Sequence, residues 1–264
     1  MKLFIRQFAY FILQPLLSIK YFRNFIRHLG NASGYYQQAR ICKAISPEKE
    51  VLAGPFKGLV YSRFEAAGSV LIPKIMGTYE DELHPTLEKI IKKNYTEIID
   101  VGCAEGYYSN GLALKIPAAT VFAYDLDPHA RELCKGNATV NNLQLQVRIN
   151  SFIDAGSLAS FPFSGKGFIM CDCEGFEIEL FTPASVKNLL NCDLIIELHD
   201  CNNEAISATI LPLFENSHQL TLIKSNPGKK IADYPYLGKN SNLTDDLLNE
   251  RNGIIMYWAF LEAI

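Results

Sequence analysis

The chain has 264 residues, 48% of them apolar and 20% charged, which suits one α/β domain of ordinary size plus an additional segment. A net charge of −3 excludes a global field that would gather nucleic acid or acidic partners. The seven cysteines, at 42, 103, 134, 171, 173, 192 and 201, are odd in number, lack zinc-finger spacing and fall largely in apolar runs; free thiols in a reducing cytoplasm are expected.

Residues 3–19 (LFIRQFAYFILQPLLSI) are apolar but interrupted by Arg6, Gln7 and Gln14-Pro15. The run is too broken for a secretory signal and too short for a spanning helix. No acid precedes Glu48, while Lys2, Arg6, Lys20, Arg23, Arg27, Arg40 and Lys43 do. The main readings are a helix packed on the domain or on a second copy of the chain and a basic amphipathic helix on a membrane surface, with a signal or anchor as the remaining alternative. Gly and Pro bracket a β-prone run at Gly54–Tyr61, a short hairpin or extended piece. Residues 79–93 carry acids first and lysines last, the polarity a helix dipole favours. An extension over 1–78 and a catalytic domain over 79–264 are expected.

From residue 97 the pattern alternates. Apolar runs at 98–101, 120–124, 145–149, 167–171 and 194–198 read as strands, and the stretches 107–115, 128–141, 178–191 and 205–216 between and after them as helices. Runs at 220–223 and 254–260 complete a seven-stranded, mainly parallel, Rossmann-like sheet covered on both faces. No helix-sized apolar pattern separates the last two runs, so the final strand is expected to be antiparallel.

In such sheets ligands bind beyond the carboxyl ends of the strands. The first strand ends in Asp100-Val-Gly-Cys-Ala-Glu-Gly106. Gly102 and Gly106 allow a tight turn and close backbone approach. The second strand ends in Asp125, spaced to accept the ribose hydroxyls of an adenosine. The dinucleotide pattern Gly-x-Gly-x-x-Gly fails, because Ala104 and Tyr107 occupy its second and third glycine positions. Acids at Asp100 and Glu105 would repel a pyrophosphate and suit the sulfonium and amino group of S-adenosylmethionine. The candidate cofactor site therefore comprises Asp100, Gly102, Cys103, Ala104, Glu105, Gly106, Tyr107, Asp125 and Leu126, joined by Asp172.

These residues resemble the FkbM-type family of class I methyltransferases. The resemblance covers roughly residues 54–200. It rests on Gly54-Pro-Phe-Lys-Gly58, Gly77-Thr-Tyr-Glu-Asp-Glu82, the Asp100–Gly106 loop, Ala123-Tyr-Asp-Leu-Asp-Pro128, Cys171-Asp-Cys-Glu-Gly-Phe-Glu177 and Ile195-Ile-Glu-Leu-His199. It implies the class I methyltransferase sheet, with Asp100, Gly102 and Asp125 holding S-adenosylmethionine and Asp172 and Glu174 lining the reaction site. It further implies O-methylation of a sugar, glycan or natural product. Cys171 and Cys173 stand where the family commonly has aliphatic residues.

Methyl transfer to a hydroxyl needs an aligned acceptor and a group to take its proton. Asp172 and Glu174 end the fourth strand; Glu197, His199 and Asp200 end the fifth. His199 is the natural general base, with Glu197 or Asp172 orienting its ring, while Glu177 and Glu179 read as a solvated helix start. Asp172, Glu174, Glu197 and His199 could alternatively hold a divalent ion, although the carboxylates need none to explain them. An NAD(P)-dependent oxidoreductase and a non-catalytic binding module of the same fold are the competing readings. The partners expected are a small-molecule or glycan acceptor and, through the N-terminal segment, a membrane surface or a second copy; no nucleic acid is expected.

Overall fold

The computed structural model describes residues 36–201, 205–238, 243–251 and 253–264, so the expectations for residues 1–35 lie outside it. The chain divides into two compact units, Met1–Ile41 and Cys42–Ile264. Of the first, only residues 36–41 are described, and they are helical. The second unit moves the expected domain boundary from 79 back to 42. The reason is burial: Val51, Phe56, Leu59 and Tyr61 are core residues, and every residue of helix α1 (Leu71–Met76) is buried. Phe56 meets Tyr107 and Tyr108 edge to face, with centroids 5.1 and 5.8 Å away. Among the described residues no helix is long and apolar enough to cross a membrane.

After α2 (His84–Ile91), the chain runs β1 (Glu97–Val101), α3 (Tyr107–Lys115), β2 (Thr120–Tyr124), α4 (Pro128–Val140), β3 (Val147–Asn150) and α5 (Ala155–Ala159). It continues through β4 (Gly167–Cys171), α6 (Glu177–Leu180), α7 (Pro183–Lys187), β5 (Cys192–Leu198), α8 (Ala205–Ile210), β6 (His218–Lys224) and β7 (Tyr257–Ala263). The seven strands lie in the order β3-β2-β1-β4-β5-β7-β6. All neighbouring pairs are parallel except those of β7, which is antiparallel to β5 and β6. This is the class I methyltransferase sheet, with the antiparallel strand where its flanking sequence placed it. β4 and β5 are buried along their whole length, as central parallel strands covered on both faces must be. β1 is flanked by β2 and β4, so connections leave it in opposite directions. That reversal opens a crevice beyond the carboxyl ends of β1 and β4.

Helix lengths depart from the sequence pattern where tertiary contacts intervene. The helix expected from residue 79 begins at His84, because Glu80 takes a left-handed conformation and Asp81–Leu83 form a 3-10 turn. The expected helix at 178–191 is two short ones. Pro183 starts α7, where a missing N–H costs nothing, and Thr182 caps it through the Ser185 amide. Near Pro212, α8 gives way to a 3-10 turn.

Candidate active site

At the switch point lies a cavity of about 470 Å³. One wall is the β1–α3 turn, and the predicted residues Gly102, Cys103, Ala104 and Tyr107 line it. Gly102 is left-handed, with φ +83°, and a Cβ there would stand 1.7 Å from the Asp172 carbonyl oxygen. Only glycine lets the β1 and β4 tips approach so closely. Ala104 is also left-handed, with φ 49°. Its amide donates to Asp125 Oδ2 at 2.8 Å, and the Asp127 amide donates to Asp125 Oδ1 at 2.8 Å. These two bonds fix the Asp125 carboxylate at the end of β2, on the cavity wall beside Leu126.

Three residues placed in the cofactor site by sequence turn away from the cavity. Asp100 is buried and accepts a hydrogen bond from the Ser109 hydroxyl. Burial raises its pKa to about 7, despite the opposing hydrogen bonds from Ser109. Glu105 is fully buried, paired with Lys74 at 2.6 Å, and also accepts from Tyr61 Oη and the Ala67 amide, both at 3.1 Å. Its charge is spent on holding residues 61–74 against the turn. Gly106 packs instead of lining: a Cβ would meet Asn110 Nδ2 at 2.3 Å and Cys134 Sγ at 2.6 Å. Each faces inward because the α3 start is a packed turn, and only part of such a turn can face a ligand.

The opposite wall is the β4 tip, where Asp172, Cys173, Glu174 and Phe176 face the cavity. Burial, and then the neighbouring carboxylates Glu197 and Glu80, push the Asp172 pKa well above its ordinary value. Glu174 is left-handed, with φ 58°, and its side chain is 80% exposed. Cys171 and Cys173 share the same side of the strand, Sγ to Sγ 3.5 Å. Cys171 belongs to the core beneath the site.

His199 lies behind this wall, buried and outside the cavity lining. Its Nδ1 is 2.9 Å from Glu177 Oε1. Glu177 is therefore no solvated helix start: it is fully buried, accepts from the Cys173 amide at 3.2 Å, and orients the ring in place of the predicted Glu197 or Asp172. Burial is the largest influence on both partners and opposes their charge, yet their mutual hydrogen bond, together with the acids around His199 and the backbone amides on Glu177, outweighs it, raising the His199 pKa and lowering that of Glu177. His199 Nε2 faces Asp172 Oδ1 at 3.5 Å, Glu174 Oε2 at 3.6 Å and Glu197 Oε2 at 3.5 Å. The expected proximity of His199 to Asp172 is present. A ring that lies outside the cavity lining, with Nδ1 engaged by Glu177, is poorly placed as the direct general base.

Two residues absent from the sequence reading of the site complete the cluster. Arg251 pairs with Glu80 at 2.7 Å and with Glu197 at 2.8 Å. Glu80 in turn receives the Tyr108 hydroxyl. Glu80 falls inside the motif at 77–82, so its signal was available. Arg251 stands in an irregular stretch with no signal at all.

The cavity wall bears Asp125, Asp127, Asp172 and Glu174, while its lysine, Lys74, is already neutralised by Glu105. Such a wall repels a pyrophosphate and accommodates a cation. A fixed carboxylate at the end of β2, a glycine turn beside it and an acidic wall fit S-adenosylmethionine and disfavour a nicotinamide dinucleotide.

Residues 84–160 match the family of ribosomal protein L11 methyltransferases (PrmA). Release factor glutamine methyltransferase of Deinococcus radiodurans is 34% identical over 84 residues, 31% of this chain and 28% of that protein. The chain thus matches less than a third of that relative's length. Among solved structures, "StiE O-MT residues 942–1257" aligns at 18% identity and TM-score 0.41, covering 67% of this chain and 72% of that one. Precorrin-6y C5,15-methyltransferase of Geobacter metallireducens aligns at 12% identity and TM-score 0.47, covering 67% and 84%. The matched segment 84–160 contains the β1–α3 turn and Asp125. Together with the sheet order it supports a class I S-adenosylmethionine-dependent methyltransferase.

Proposed function

We propose that this chain is an FkbM-type methyltransferase that methylates a hydroxyl oxygen of a sugar, glycan or other small natural product. The observation that carries the reading is the single cavity bounded on one side by the glycine turn and Asp125 and on the other by Asp172 and Glu174. Bound there, S-adenosylmethionine would supply an electrophilic methyl group on a sulfonium. Asp125 would hold the ribose hydroxyls, and the acidic wall would balance the sulfonium charge. The acceptor hydroxyl lies against Asp172 and Glu174. The hydroxyl proton would be taken by this carboxylate wall, with the His199–Glu177 pair behind it. Tyr79, Phe152 and Phe176 add aromatic surface to the cavity, which limits water around the reacting atoms and offers a platform for a sugar ring.

The cytoplasm, and a membrane surface or second copy engaged by the N-terminal segment, belong to the same proposal. The first rests on the odd number of cysteines without zinc-finger spacing, the second on the cationic, acid-free composition before Glu48.

The test is calorimetry with S-adenosylhomocysteine, followed by incubation with methyl-labelled S-adenosylmethionine and a panel of hydroxylated, amine-bearing and protein acceptors. Micromolar binding and label on a hydroxylated compound are expected. Binding without transfer to any acceptor class would favour the non-catalytic module. Label on an amine or on protein glutamine would replace the acceptor assignment.

A further inference from the structure

Asp172, Glu174 and His199 each present a donor atom within 4.8 Å of the others. Clustered acids alone do not make a site, but two further features point to a missing occupant. Asp172 Oδ1 is buried and has no hydrogen-bond partner, although a buried carboxylate oxygen is ordinarily satisfied. It faces His199 Nε2, on a ring whose side chain is 5% exposed, and the separation of 3.5 Å exceeds a good hydrogen bond. Glu174 Oε2 and Glu197 Oε2 stand off the same nitrogen by 3.6 and 3.5 Å. Three carboxylate oxygens thus surround one imidazole nitrogen without closing on it. Donors bound about 2.1 Å from a shared divalent ion stand roughly 3.0–3.5 Å apart, close to the 3.5 and 3.6 Å that separate His199 Nε2 from the Asp172 and Glu174 oxygens.

The rest of the ring is prepared in the same sense. Metal-bound imidazoles donate their second N–H to a carboxylate, which fixes tautomer and direction. His199 Nδ1 meets Glu177 Oε1 at 2.9 Å, and Glu177 is itself held by the Cys173 amide. Glu177 accepts that N–H whether Nε2 carries a proton or a metal. Glu197 divides its two oxygens, Oε1 to Arg251 and Oε2 toward His199.

We infer that Asp172, Glu174 and His199 form a binding site for a divalent cation at the wall of the cavity. One imidazole among carboxylates suits a hard-to-borderline ion such as Mn²⁺. Asp172 and Glu174 also line the cavity, so the ion's open coordination position faces the space assigned to the acceptor. The acceptor class then narrows to molecules that offer an oxygen ligand beside the methylated hydroxyl, a vicinal diol or hydroxy acid. That last step rests on the methyltransferase reading; the ion site itself does not.

The test uses the full chain, stripped with EDTA and titrated with Mn²⁺ by calorimetry and by the loss of the free-ion paramagnetic resonance signal. Mn²⁺ is the probe because the free thiols of this chain bind it weakly. One ion per chain is expected, weakened about ten-fold or more in Glu174→Gln and in His199→Gln. Glu174 is solvent-exposed, so that variant decides the matter even if His199→Gln fails to fold. No stoichiometric Mn²⁺ binding, or wild-type affinity in Glu174→Gln, would overturn the inference. S-adenosylhomocysteine is titrated into the same stripped sample: its binding without Mn²⁺ binding overturns the ion site alone, whereas Mn²⁺ binding without it overturns the cofactor reading and leaves the ion site standing.

Discussion

The two walls of the cavity are built by different means. The β1–β2 wall is local. Its turn and Asp125 lie within a short stretch of chain, and it acts mainly through backbone shape, with Asp125 tied to the Ala104 and Asp127 amides. The β4–β5 wall is assembled from afar: Arg251 reaches Glu80 and Glu197, and His199 meets Glu177 and Asp172. It acts through buried charge. A local wall tolerates change elsewhere in the chain, whereas a wall of buried charges depends on every partner staying in place.

The largest expected effect tests that dependence. Arg251→Ala leaves Glu80 and Glu197 buried without their shared partner, and should lower stability by about 3–5 kcal/mol in urea unfolding. A loss below that of an exposed pair would show that the acids are already protonated or solvated. As the contrasting control, Lys89, which is 52% exposed and pairs with Glu262, should cost about 0–1 kcal/mol when replaced by alanine.

Gly102→Ala attacks the point where the two walls touch. The added methyl meets the Asp172 carbonyl oxygen, and φ is unfavourable for alanine. About 2–4 kcal/mol of stability should be lost, with reduced S-adenosylhomocysteine affinity in the protein that remains folded. Unchanged melting and binding would mean that the tips separate at little cost.

Within the local wall, Asp100 offers a pH test. Its folded pKa is raised to about 7 by burial. The folded state therefore keeps its proton where the unfolded chain has lost it, and this residue's contribution to stability falls as pH rises from the ordinary carboxylate range through about 7. Asp100→Asn, which still accepts from Ser109, should flatten that fall by on the order of 1–3 kcal/mol. Identical pH profiles in urea would place the charge of Asp100 in a better-solvated setting.

The smallest effect expected on ligand binding belongs to Asp125→Ala, about 1–3 kcal/mol of S-adenosylhomocysteine affinity with little change in melting temperature. Equal affinity by calorimetry would remove Asp125 from the ribose site.

The strands were legible because parallel core strands are continuous apolar runs, and β2 and β4 match their expected bounds at 120–124 and 167–171. The antiparallel β7 was legible from the absence of a helical pattern before it. In the turn, Gly102, Cys103, Ala104, Tyr107, Asp125 and Leu126 all reach the cavity as expected. Asp100 and Glu105 turn from the cavity; an acid beside a ligand loop looks the same in sequence whether it faces the ligand or a buried partner, here Ser109 for Asp100 and Lys74 for Glu105. Glu177 was misread for the complementary reason: at a helix start, charge favours solvent until a histidine from another strand covers it.

Sequence alone thus determined the sheet, its switch point and the identity of the β1–β2 wall, because periodicity, glycine spacing and strand-end acids act over a few residues. Only the tertiary structure decided which carboxylates face the cavity and which face one another. It alone brought Arg251 to Glu80 and Glu197, and turned His199 toward Glu177. Those choices depend on which charges burial leaves in want of a partner, and partners so far apart in the chain have no common periodicity by which to be recognised.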